Sequence, residues 1–134
     1  MLHPNPEKVK VNLPIGNPDD KLSLAYAMAQ GYKVTLTQED GEAEIVSPEG
    51  NVYHVHNFIC SCPDSIGRNG GSYQGPGGRR FCKHAAWTAQ MRPCEYCGGV
   101  MYLTEHKTCF GSRVELFECE MCRNAVSEAV LKLG

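Results

Sequence analysis

The sequence contains no apolar run long enough to cross a bilayer. Its first residues, Met1-Leu2-His3-Pro4-Asn5-Pro6-Glu7, hold no apolar core of a signal peptide, so export is not expected. Without an oxidising compartment, stable disulfides are not expected either, and the thiols read as reduced, in a cytoplasm. No excess of one charge stands out: 13 Lys and Arg face 15 Asp and Glu, a formal −2. A globally basic nucleic-acid glove is thereby excluded. No nucleophile–base constellation is visible, and no thioredoxin-like βαβ pattern surrounds the paired cysteines. An enzyme and a redox dithiol are both disfavoured.

Cysteine is what the chain does have, eight in 134 residues. Reduced thiols at that density point to metal. The organising stretch opens with Cys60-Ser61-Cys62 and closes with Cys82-Lys83-His84, with a Gly-rich basic loop from Pro63 to Phe81 between them. Three thiolates and one imidazole complete a tetrahedral zinc shell. Residues i and i+2 of an extended segment share a face, so Cys60 and Cys62 can reach one ion. In a helix they do not. Cys82 is therefore predicted just ahead of a helix, with His84 in its first turn. That helix is predicted to run on through Met91 until Pro93 stops it.

A second set follows at once. Cys94-Glu95-Tyr96-Cys97 and Cys119-Glu120-Met121-Cys122 are two C-x2-C knuckles separated by 21 residues, close to a known zinc spacing. Gly98 and Asn124 stand where a curling backbone favours Gly or Asn. Val100 to Thr104 and Val114 to Glu118 read as a hairpin between the knuckles. Cys109 is left over, with His106 nearby. Either can replace a knuckle ligand, but a spare thiol and a surface histidine are the simpler reading.

The first pattern, C-x-C, variable loop, C-x-H, preceded by a β-hairpin and followed by a helix, resembles the SWIM zinc finger. The resemblance covers roughly Tyr32 to Met91, and its matching residues are Cys60, Cys62, Cys82 and His84. SWIM fingers are attached to transposases, helicase-like ATPases and recombination factors, which implies DNA or protein binding. The second pattern resembles a zinc ribbon, whose ligands carried over are Cys94, Cys97, Cys119 and Cys122. Zinc ribbons recur in transcription and replication machinery.

Read in order, residues 1–16 are an arm in which Val9, Val11 and Leu13 alternate with polar residues, so that it is either a short edge strand or a loose segment. Asn17, Pro18, Asp19 and Asp20 suit a helix start, and Gly31 a helix end. Strands are predicted over Tyr32 to Thr37, Ala43 to Ser47 and Val52 to Ile59, joined by turns at Asp40-Gly41 and Pro48 to Asn51. His54 and His56 share a face of the third strand, where they are either ligands or, more simply, half-exposed. Ala125 to Leu133 reads as a third ribbon strand or a short helix. The expected class is α+β. Over residues 17–92 a small antiparallel sheet and helices are held by a zinc on three cysteines and one histidine. Over 93–134 a ribbon is held by a zinc on four cysteines. No linker separates the two, so they are expected to pack together.

Both shells are closed, whereas catalytic zinc keeps an open position. The expectation is a non-enzymatic, cytoplasmic module carrying two structural zinc ions. It would bind nucleic acid, DNA rather than RNA, as an accessory factor; the alternative is a protein–protein adaptor docking on a larger complex. No membrane contact is expected. Between Asp64 and Arg92 the bases Arg68, Arg79, Arg80, Lys83 and Arg92 face Asp64 alone. Together with Tyr73, which can stack on a base, they form the expected nucleic-acid surface.

Overall fold

Short polar side chains delay the first helix. In a computed structural model, residues 13–37, 39, 41–75, 78–109 and 112–129 are described, without the side chains at 108, 109, 112, 113 and 129. Asn17 Oδ1 accepts from the Asp19 amide and Asp20 Oδ1 from the Leu22 amide, both at 3.0 Å. Such local bonds hold the backbone in turns. Helix α1 therefore spans Leu24–Ala29 rather than starting at Asn17. Its cap is Ser23, whose side chain accepts from Ala25 N. Gly31, at φ 92°, ends it as expected, with Gly31 N–H donating to Met28 O and Tyr32 N–H to Ala27 O.

The fold is α+β, with small antiparallel sheets and few helices. Strands β1 (Lys33–Leu36), β2 (Ala43–Val46), β3 (Val52–His56) and β4 (Ile59–Cys60) form the first sheet in sequence order. Alternation buries Ala43 and Ile45 and exposes Glu44. The third strand does not continue to Ile59 as expected. Asn57 and Phe58 both adopt positive φ, 50° and 60°, and fold the chain back so that Cys60 pairs with Val55. Burial of the Phe58 ring offsets its unusual backbone. The ring lies so close to Gly41 that a Cβ there would sit 2.8 Å from it.

The loop after Cys62 is more regular than its composition suggests. Pro63 occupies the first turn of α2 (Pro63–Gly67), capped by Cys62. Asp64 then accepts from Ser72 N–H at 3.0 Å and from Ser72 O–H at 2.6 Å. Strand β5 (Tyr73–Gln74) pairs with β6 (Arg80–Phe81). Gly71 passes so near this ribbon that a Cβ would overlap the Phe81 carbonyl. Over its described residues the Gly-rich basic loop is thus built into the fold.

Helix α3 (Lys83–Ala89) begins where expected, with Cys82 as its cap, but ends early. Met91–Pro93 forms β7 instead and pairs with β8 (Val100–Cys109). A residue ahead of proline avoids the helical region, and β8 offers a partner at that point. Strands β9 (Ser112–Cys119) and β10 (Ala125–Ala129) complete a second sheet in the order β10-β9-β8-β7. The hairpin is longer than predicted, with a bulge between Leu103 and Glu105, and residues 125–129 are strand.

A continuous apolar cluster joins the two halves. Leu22, Ile45, Phe81 and Trp87 belong to it together with Met91, Met101, Leu103 and Phe117. Leu13, in the expected arm, is buried there too; residues 1–12, including Val9 and Val11, lie outside the described residues. Among the described residues no helix is long and apolar enough to cross a membrane.

Candidate metal centres

Three elements converge on the first centre. Cys60 closes β4, Cys62 caps α2, Cys82 caps α3, and His84 lies in the first turn of α3. All four side chains are buried, and their donor atoms lie within 4.8 Å of one another. His84 Nδ1 is 3.5 Å from Cys60 Sγ and 3.8 Å from Cys82 Sγ. Around zinc, tetrahedral S···N and S···S edges come to about 3.5 and 3.8 Å. The residues thus fit an ion without rearrangement.

Their acidity points the same way. The Cys60 thiol and burial push Cys82 up to about 12, and burial raises Cys62. Thiols this close and this dry ionise together only around a cation. Backbone N–H groups help: Cys62 N donates to Cys60 Sγ and Ser65 N to Cys62 Sγ, each at 3.4 Å. The His84 ring is held by packing. Tyr53 lies 4.8 Å from it, Trp87 meets it edge-on at 5.3 Å, and Tyr32 lies at 6.3 Å. Its Nε2 is buried with no hydrogen-bond partner among the described residues.

The second centre is built from two matching turns. Cys94 N donates to Gly99 O and Gly98 N to Cys94 O. In the same way Cys119 N donates to Asn124 O and Arg123 N to Cys119 O. The turns bring Cys94 Sγ to 3.7 Å from Cys122 Sγ, and Cys97 Sγ to 3.5 Å from Cys119 Sγ, again tetrahedral edges. Gly98 has φ 77° as expected, but its counterpart is Arg123 at φ 67°, not Asn124. Asn124 instead donates from Nδ2 to Cys122 Sγ at 3.2 Å. The Asn124 backbone and side-chain N–H groups bring Cys122 down to about 6. The Cys122 backbone N–H lowers Cys119. At Cys97 the Gly99 N–H lowers the pKa, but Cys119, Cys122 and Cys94 together outweigh it and hold the thiol at about 12. Cys94 and Cys119 are buried, while Cys97 is exposed.

The remaining histidines stand apart. His54 and His56 are exposed on β3, and His56 Nδ1 lies 2.7 Å from Glu42. His106 Nε2 donates to Leu13 O at 2.7 Å, and its Nδ1 lies 3.7 Å from Glu115. The side chain of Cys109 lies outside the described set.

The six expected nucleic-acid contacts divide. Arg68 and Arg80 are exposed beside one another, Arg80 Nε donating to Arg68 O and Gly71 O. Arg79 reaches Asn57 O at 2.7 Å from Nη2. Tyr73 stacks on Phe81 at 5.8 Å, so one ring face is covered. Lys83 donates to Tyr32 Oη and lies over the Tyr32 and Trp87 rings. Arg92 is paired with Glu128 and Glu95 in the second half of the chain. Sequence reasoning missed the ring cage around His84 and the helix after Cys62, although Pro63 directly after a capping residue was a usable signal. No protein-family model, curated protein or solved structure matches the chain.

Proposed function

We propose that this chain is a non-enzymatic module holding two structural zinc ions, with a SWIM-like first half and a ribbon-like second half, and that it binds nucleic acid as an accessory factor in a cytoplasm. Zinc is favoured by the thiolate-rich tetrahedral donor sets, which suit a borderline-soft ion without geometric demands of its own. Each set supplies four protein donors, leaving no position for a catalytic water. In the first half, zinc fixes the starts of α2 and α3 and hence the loop between them.

The observation that carries the nucleic-acid reading is that Arg68, Arg79 and Arg80 all lie on that loop and are each held there, Arg68 3.3 Å from Asp64, Arg79 on Asn57 O and Arg80 on the carbonyls of Arg68 and Gly71. Held guanidinium groups lose less freedom on gripping a phosphate than free ones do. Lys83 and Arg92 are committed to internal partners and contribute little to such a surface. DNA rather than RNA follows only from the SWIM resemblance.

The test is fluorescence anisotropy with labelled single- and double-stranded DNA and RNA across a salt series. Affinity is expected to fall steeply with salt. The slope is expected to flatten by about one for each phosphate no longer neutralised in Arg68→Ala and Arg79→Ala. Absence of salt-dependent binding at low salt by the zinc-loaded chain would sink the reading.

A further inference from the structure

We infer that the tip of the four-cysteine centre is a docking surface for a protein segment bearing apolar side chains flanked by lysine or arginine. Tyr96 and Met121 carry the inference. Each is the residue just ahead of the second cysteine in its turn, and they are 67% and 75% exposed. Because both turns close on one donor set, the two side chains flank the same centre. Gly99 lies against the Met121 stem, for a Cβ there would sit 3.3 Å from Met121 Cγ. A paired tyrosine and methionine on rigid turns are an aromatic anchor beside an adaptable neighbour, as at the centres of contact surfaces.

The surrounding charge selects the occupant. Glu95 and Glu120 lie within the two turns and Glu118 just ahead of the second, and four thiolates around a divalent ion would leave the tip more negative still. Arg123 opposes Glu118 at 3.6 Å, Arg92 is shared between Glu95, at 3.7 Å, and Glu128, and Glu120 has no basic partner among the described residues. A polyanion is repelled here, while a basic, apolar peptide is steered in. The inference is independent of the nucleic-acid reading, which concerns the oppositely charged loop of the first half. Docking would also cover the exposed Cys97.

The test uses the zinc-loaded full chain, 15N-labelled. The probe is a synthetic amphipathic peptide of leucine and lysine, beside the same peptide with glutamate for lysine. The lysine peptide is expected to shift the amides of Tyr96, Cys97 and Met121 and to slow zinc transfer to a chromogenic chelator. Tyr96→Ser with Met121→Ser is expected to weaken it about tenfold with both zinc ions retained. Should that variant lose metal, Met121→Lys alone is expected to give the same weakening through like charge. Equal binding of the two peptides, no binding of either at millimolar concentration, shifts confined to another face, or unchanged binding in Met121→Lys would overturn the proposal. So would sedimentation showing a dimer that the Met121→Lys change dissolves, since a second copy would then be the occupant.

Discussion

Asn124 and Gly71 show how single residues decide what the metal centres need. Protons compete with metal for Cys122 as the pH falls, and the Asn124 N–H groups bring that thiol from 9.0 down to about 6. A depressed pKa holds the thiolate, and hence the metal, until the pH falls through the lower value. Asn124→Ala removes the side-chain donor at 3.2 Å, so Cys122 should rise and acid-driven metal release should move to higher pH, by about half a unit. Titration with a chromogenic chelator reads the midpoint, and a midpoint that stays put would remove this role for Asn124. At Gly71 the constraint is steric. With φ 144° and a Cβ that would overlap the Phe81 carbonyl, Gly71→Ala should cost more than ~4 kcal/mol in urea unfolding. Gly50→Ala, at φ 92° with open space around it, should cost about 1–2 kcal/mol. That Cys60, Cys62, Cys82 and His84 come together was legible because i, i+2 geometry in strand and cap follows from residue spacing. The left-handed Arg123 was not, because arginine carries no preference for that conformation and adopts it only where the metal turn imposes it.

At the scale of elements, legibility follows how local the forces are. The alternation over 43–46 and the Gly31 stop depend on neighbours in sequence and read correctly. The early end of α3 and the fold-back at Asn57-Phe58 depend on partners distant in sequence, β8 and Gly41, and did not. Gln90, the cap of α3, is another such device. Its Oε1 accepts from Leu24 N at 3.0 Å while its Nε2 donates to Leu22 O and Ala86 O, which ties α1 to α3 inside the core. Gln90→Ala leaves those backbone groups buried and unpaired, for a predicted loss of about 2–4 kcal/mol in urea unfolding. A loss below about 1 kcal/mol would mean that the two helices are held by packing alone. The two centres should also differ in lability. All four ligands of the first are buried, whereas Cys97 of the second is exposed, so an excess of chelator should empty the four-cysteine centre first. Stoichiometry by mass spectrometry during the challenge would show one ion lost before the other, and the reverse order would contradict the burial argument.

For the whole molecule the question is whether the centres hold two bodies or one. The sequence divides at Pro93, but Trp87 and Phe81 share a buried cluster with Met101, Leu103 and Phe117, which belong to the other side of that boundary. A structural zinc contributes roughly 10–16 kcal/mol, as much as the entire stability of an ordinary domain, roughly 5–15 kcal/mol. If each centre holds such an ion, losing one is enough to unfold whatever it is cooperative with. Cys119→Ser disables the four-cysteine centre and leaves Cys60, Cys62, Cys82 and His84 untouched. Trp87, the chain's single tryptophan, is fully buried in the first half against His84, and its fluorescence reports the packing around that side chain. If the continuous core makes one cooperative body, the thermal midpoint read at Trp87 should fall sharply in Cys119→Ser, and in wild type it should coincide with the midpoint read by circular dichroism. If the apolar contacts between halves are too weak to couple them, Trp87 should melt at the wild-type temperature in the variant, and the wild type itself should show two steps. The shared burial of Trp87 and Phe117, each 0% exposed and each far in sequence from the other, favours the single step.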